Sequence, residues 1–415
     1  MIAVGGAEFR YLSQDIYANG KKVIFAFANN DLVYPESIDM DIFTFISEPT
    51  VYNSPPVLSM PTSYRKQWSS GLTGIVFPSC GNVTDEAYRR CTALEFAIIP
   101  SCTTIDWSAF LDCSSLKSIS FPMCETIRDN AFEGCISLLE ASFPNCSLVA
   151  QDAFLSCHSL SSASFPACSV IISHAFEDCY SLQNVYFPSC ELISYSAFLR
   201  CSSLSEISFS VCSLIERYAF SGCTSLTSAN FPACTVISSN AFRNDISLTD
   251  ISFPNCVRVE NGAFYNCNIS EVELSNCTYI GGDAFCSCNV SSIDLPVCEY
   301  IGGNAFEGCE PLEYLELPEC QTIGMSAFRG CVNLSTVSLP AISFLWEGVF
   351  SGCSNLFSVY LLGSIFCETI ITRNPLPGIP FLTSKDGRYG SIYVPASLYS
   401  LYASNNIYRS RFVSV

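Results

Sequence analysis

From Leu72 to Leu361 the apolar residues of the chain recur in one fixed order with a period of 22 residues. The unit opening at Leu116 reads Leu116-x-x-Ile119-x-Phe121-Pro122-x-Cys124-x-x-Ile127-x-x-x-Ala131-Phe132-x-x-Cys135, and the unit opening at Leu138 repeats it. Units begin at Leu72, Leu94, Leu116, Leu138, Leu160, Leu182, Leu204, Leu226, Leu248, Ile269, Val290, Leu312, Leu334 and Leu356, fourteen counting a degenerate last one. Those opening at Leu248 and Ile269 are one residue short, the deletion falling between a cysteine and the next opening residue, where a loop tolerates it. Within each unit Ile119 and Phe121 alternate with a polar residue, which predicts a short strand with one face inward. The proline that follows has no N–H to donate and marks where strand pairing stops. Ala-Phe-x-x-Cys then predicts a compact second side, a 3₁₀ or helical turn. One such coil is too small to bury its own apolar side chains, whereas stacked coils share one continuous core.

This pattern resembles the BspA-like leucine-rich repeat family, whose units read approximately L-x-x-I-x-I-P-x-x-(V/L)-x-x-I-x-x-x-A-F-x-x-C. The first cysteine of each unit stands at the N/C position of the leucine-rich repeat signature. The resemblance implies an α/β-type repeat protein: a leucine-rich repeat solenoid of 22-residue coils with a long parallel β-sheet on its concave face. Residues 71–362 form the expected solenoid and residues 363–415 a C-terminal cap, where Ile392-Tyr393-Val394-Pro395 through Tyr402 looks like the closing segment of family members. Ahead of it, Asn19-Gly20 between apolar runs is a hairpin signal, and Tyr17-Ala18-Asn19 is echoed by Phe27-Ala28-Asn29. Residues 1–35 are therefore expected to form a small antiparallel β segment, which is similar to N-terminal elements of tailed-phage virion proteins. A Pro- and Ser-rich linker and cap, residues 36–70, joins it to the first coil.

The cysteines follow the same beat. From Cys80 to Cys234 every eleventh residue is a cysteine, forming two alternating columns, one after Phe-Pro-x and one after Ala-Phe-x-x. Residues at one column position in neighbouring coils stand about 4.8 Å apart, the strand spacing, whereas a disulfide wants Cβ atoms about 3.8 Å apart. Asp245 also breaks the second column into seven cysteines before it and five after, and Ile342 interrupts the first. Odd segments cannot pair completely. Zinc sites need four converging ligands at short spacings, and the only close pair is Cys286-Ser287-Cys288. The expectation is a set of buried reduced thiols packing as small apolar side chains, the first column donating weak hydrogen bonds to loop backbone.

The two histidines, His158 and His174, fall in loops where other units carry Tyr180 and Tyr195, so they read as repeat variation and no enzyme is expected. Gly281-Gly282 and Gly302-Gly303 recur in register and read as turn glycines, not a phosphate loop. No cofactor and no metal are expected. A formal net charge of −19 argues against nucleic acid and against an anionic membrane surface as partner. No run of about 18 apolar residues predicts a membrane-spanning helix. Met1 to Arg10 lacks the basic leader and apolar run of a secretory signal. The chain is expected to be extracellular all the same, on a cell surface or a virion.

What remains is the exposed side of the expected sheet. Its middle position is hydroxyl-rich over the first two-thirds, with Tyr186 standing out, and turns acidic towards the end at Glu271, Glu273, Asp294, Glu313 and Glu316. These six residues are the candidate ligand contacts. The function expected is non-enzymatic adhesion: recognition of a protein or glycan on a host or bacterial surface. A structural spacer that binds nothing on this face is the alternative.

Overall fold

The computed structural model describes residues 17–18, 21–25, 72–77, 80–364, 366–367, 391–404 and 412–415. They fall into two compact units, one of Met1–Cys190 with Ala197–Ser203 and one of Glu191–Ser196 with Leu204–Val415. In both, each repeat is one turn of a parallel β-solenoid, so the solenoid class follows the sequence.

Three sides make each coil. On the first, the three-residue strands form parallel ladders in register from one coil to the next. In the first unit Leu72–Val76, Phe96–Ile98 and Ser118–Ser120 pair in one run, and Glu140–Ser142, Ser162–Ser164 and Asn184–Tyr186 in another. In the second unit the runs are Glu206–Ser208 to Asp250–Ser252, Glu271–Glu273 with Ser292–Asp294, and Tyr314–Glu316 to Ser358–Tyr360. The last run continues through Ser391–Val394 and Phe412–Ser414, beside the short helix Tyr399–Ala403. In the first unit Lys21–Phe25 pairs parallel to Leu72–Val76 and antiparallel to Tyr17–Ala18. The echo at Phe27–Val33 and the linker 36–70 lie outside the described residues.

The second side is a ladder that the pattern did not reveal. Two-residue strands beginning four positions after the Pro, such as Thr104–Ile105, Thr126–Ile127 and Leu148–Val149, pair from coil to coil. One residue of each points inward, as Ile127 and Val149 do, with no exposed surface. Hydroxyls border the ladders: Ser169 Oγ donates to the Ser147 carbonyl, and Thr227 and Thr249 donate to Ser205 and Thr227 one coil back. Abundant Ser and Thr thus help satisfy carbonyls at the ladder margins.

The third side, expected as a 3₁₀ or helical turn, is a run of turns with alternating hydrogen bonds. Asn130, Phe132 and Gly134 donate their N–H groups to Gln151, Ala153 and Leu155 of the next coil, while Ala131, Glu133 and Cys135 donate to carbonyls three residues back. Two residues per coil, the ones before Ala and before Cys, take the left-handed conformation, for example Asn130 at φ 58° and Gly134 at φ 69°. A helix cannot accommodate that alternation. It also accounts for the Gly, Asn, Asp and Ser found at most of these positions, none of which holds a β-branched residue. Gly281 and Gly302 are needed for a different reason. They do not take positive φ, but a Cβ on Gly302 would lie 2.4 Å from the Gly282 nitrogen, so backbones of adjacent coils touch there.

Phenylalanine fills the centre. Phe110, Phe132, Phe154, Phe176 and Phe198 stack with ring centroids 5.1–5.2 Å apart. The Phe-Pro rings Phe143, Phe165 and Phe187 form a parallel stack that meets the first edge-on, as Phe154 meets Phe165 at 73°. Both geometries are favoured over an eclipsed sandwich. In the second unit Phe220 to Phe350 form one stack, whereas the other ends at Phe253 and leucines Leu274, Leu295, Leu317 and Leu339 take its place, fully or almost fully buried. Phe242→Ala is expected to lower stability by about 3–5 kcal/mol in urea unfolding. Asn240→Val, which places a β-branched residue at φ 59° and removes the acceptor of an Arg243 hydrogen bond, should destabilise, chiefly through the backbone.

Candidate ligand-binding face

On a three-residue strand the middle side chain enters the core and its two neighbours face out. Val272 and Leu315 are accordingly buried, while Glu271, Glu273, Asp294, Glu313 and Glu316 are all exposed. The pairing sets Glu273 beside Asp294 and Glu271 beside Ser292. Tyr314 donates its hydroxyl to Glu316 Oε2 at 3.1 Å, and partial burial together with that carboxylate pushes its phenol up. Ser335 Oγ donates to the Glu313 carbonyl, so Glu313 keeps its carboxylate free of that bond. Two further acids at the same repeat positions, Glu206 and Asp250, are exposed on this side of the second unit, Asp250 accepting a bond from Ser228 Oγ at 3.2 Å. Reading the repeat column by column would have found both. Tyr186 belongs to the first unit, 59% exposed beside Ser164 on its own ladder.

The opposite charge is absent from these strands. No Lys or Arg occurs in the segments 204–209, 226–231, 248–253, 269–274, 290–295, 312–317, 334–339 and 356–361. The arginines of the second unit sit elsewhere. Arg258 lies on the second ladder with its guanidinium 3.7 Å from the Tyr279 ring centre, and Tyr279 stacks on Tyr300 at 4.9 Å. Stacking turns those ring faces on each other and leaves their edges to solvent.

The other candidate chemistry resolves into structure. All 26 cysteines are buried, and no disulfide joins any of them. First-column thiols donate to the carbonyl two residues on, as Cys102 does to Thr104 at 3.1 Å. Second-column thiols donate to the Phe carbonyl of the preceding coil, as Cys135 does to Phe110 and Cys157 to Phe132, both at 3.2 Å. Burial pushes Cys146 up to about 11 and Cys102, Cys168, Cys212 and Cys234 up to about 12. At neutral pH such thiols form almost no thiolate, the reactive form. His158 stacks on Tyr180 at 5.0 Å, and His174 Nδ1 meets the Glu177 carboxylate. Arg200 binds Asp178 through two nitrogens and Glu177 through one, a surface network on the third side. Among the described residues no group of three His, Cys, Asp or Glu side chains is placed to hold a metal ion, and no helix is long and apolar enough to cross a membrane.

The BspA type leucine rich repeat model matches six copies over residues 81–204, 147–270 and 278–370, more than half of the chain. The chain belongs to this family. Its fold is similar to that of a leucine-rich repeat protein from Bacteroides ovatus, 22% identical, with a TM-score of 0.54 over 81% of this chain and 88% of that one. A leucine rich cell surface protein from Faecalibacterium prausnitzii is 18% identical, with a TM-score of 0.30 over 85% of this chain and 94% of that one. The pneumococcal vaccine antigen PcpA is 16% identical, with a TM-score of 0.39 over 96% and 89%. No curated protein matches the sequence. The family match begins at residue 81, so the likeness of residues 1–35 to virion proteins draws no support from it.

Two measurements check this account. A thiol reagent should leave the folded chain nearly unlabelled and modify all 26 cysteines once the chain is unfolded without reductant; a clear shortfall then would reveal disulfides. The Arg200 guanidinium holds the Asp178 carboxyl below its ordinary value of 3.8, so this pair stabilises above that pH and its contribution fades as pH falls through the lowered value. With Arg200 half exposed, Arg200→Ala should cost under about 1 kcal/mol at neutral pH, and the part of that cost carried by Asp178 should vanish once this carboxyl is protonated, as read from pH-dependent unfolding.

Proposed function

We propose that this protein is a non-enzymatic binding protein of the extracellular surface, and that the first-ladder face of its second unit docks a cationic segment of a protein on another cell. One observation carries the reading: seven carboxylates, Glu206, Asp250, Glu271, Glu273, Asp294, Glu313 and Glu316, face outward with no Lys or Arg among them. A one-sign face attracts an oppositely charged partner over distance and fixes its register on arrival. The repeats of residues 71–362 supply the scaffold, with residues 1–35, 36–70 and 363–415 flanking it as attachment and capping segments. Membership in the BspA-type family and the regular, enlarged surface of stacked coils support a binding role. Tyr186 and its neighbouring hydroxyls in the first unit would offer a separate contact suited to a glycan, through ring stacking and hydrogen bonds.

The test is attachment of the full chain to cells, compared with a variant carrying Glu271→Gln, Glu273→Gln, Asp294→Asn and Glu316→Gln. The substitutions keep shape and exposure while removing four charges. Attachment through this face should weaken at least tenfold in the variant and fall steeply with salt in the parent chain. Equal attachment by the two proteins would reject the acidic face, and failure of the parent to attach to any cell type would favour a spacer.

A further inference from the structure

Asp245 stands where the second cysteine column requires a thiol. It follows Phe242 by three residues, as Cys267 follows Phe264 and Cys223 follows Phe220. Its side chain has no exposed surface. Oδ1 accepts the backbone N–H of Cys223 at 2.8 Å, and Oδ2 has no hydrogen-bond partner. Elsewhere in the column the thiol donates to the Phe carbonyl 25 residues back, or 24 at the short coils, as Cys267 does to Phe242 and Cys288 to Phe264. The corresponding acceptor for residue 245 is the Phe220 carbonyl. A carboxylate cannot donate to it; a carboxylic acid can.

The surroundings supply no counter-charge. From the preceding coil the column presents the Cys223 thiol, and from the following coil the Cys267 thiol, which burial holds in the neutral form. Along the chain the nearest charged side chains on either side are Arg243 and Asp250. The Arg243 guanidinium lies over the Tyr265 ring at 4.0 Å and Asp250 is exposed beside Ser228. Asn244 is also exposed, taking a bond from Asn266. An isolated ionised carboxylate in such a place costs far more than binding a proton does.

We infer that Asp245 is a proton-linked joint in the solenoid: it folds as the neutral acid, so the coils around it are held most firmly in acid and loosen as the medium turns alkaline. Burial pushes this carboxyl well above its ordinary value of 3.8. The folded chain therefore retains a proton that the unfolded chain releases at that value. The stabilisation is complete below the unfolded value and is lost as pH rises towards the folded one, by up to about tenfold in the folding constant per pH unit. A thiol, the residue at this position in the other coils, carries no such dependence near neutrality. The feature is independent of the acidic face, since Asp245 reaches no surface.

Infrared difference spectra of the folded parent chain and Asp245→Asn at neutral pH test the protonation directly. A protonated-carboxyl carbonyl band present in the parent and missing from the variant is expected; absence of that band in the parent overturns the proposal. Hydrogen exchange of peptides covering residues 220–268, corrected for the intrinsic rate, tests the consequence. The parent should lose protection from about pH 5 to about pH 8 relative to Asp245→Cys, which restores the column, by up to about tenfold per unit. Equal pH dependence in both proteins also overturns it. Asp245→Cys serves as the infrared reference as well if Asp245→Asn does not fold.

Discussion

Each coil of this protein leaves backbone N–H and C=O groups and a strip of apolar side chains that only another coil can satisfy. That requirement governs everything else. The third side shows it most clearly: alternate N–H groups bond within the turn and across to the next coil, so the spacing of coils is fixed by hydrogen bonds on all three sides. Identical residues then fall one above another. Phe stacks on Phe and thiol on thiol because the backbone repeat places them there. Ring–ring contact and burial make those positions worth keeping apolar.

The same constraint explains why so much cysteine does so little chemistry. A small side chain with a weak donor suits a site that must fill a narrow space and hydrogen-bond one carbonyl, and both columns use it so. Burial disfavours the thiolate at most of these positions and so keeps the thiols unreactive. Where the column changes residue, the physics changes with it, because a carboxyl in the same space needs a proton or a cation and the neighbours provide no cation. Asp245 has no effect on the pattern of the fold and a large one on how its local stability responds to acidity.

The coils differ from one another mainly in what points outward. The core positions repeat with few exceptions, such as Asp245 and the leucines that follow Phe253, whereas the outward positions of the first ladder vary from Ser to Tyr to Glu. In the second unit they concentrate carboxylates without compensating base. The other notable surface groups, the Arg200 network and the Arg258–Tyr279–Tyr300 stack, spend their charges and ring faces on one another, which suits them to holding coils together and leaves little for a partner.

The period, the inward and outward positions and the likeness to leucine-rich repeats were legible in the sequence, because a repeated coil writes its core at fixed intervals. So were Glu271, Glu273, Asp294, Glu313 and Glu316 as outward residues, since strand alternation settles direction. Glu206 and Asp250 obey the same rule, but each is the single acid of its strand and stands apart in sequence from the dense cluster. Three matters needed the tertiary structure. The second ladder did, because a two-residue strand leaves no periodicity to read. So did the third side, where left-handed residues replace the expected helical turn because alternate N–H groups must reach the neighbouring coil. The solitude of Asp245 is the third: its place in the column was written in the sequence, but whether anything answered its charge depended on which atoms the adjacent coils brought within reach.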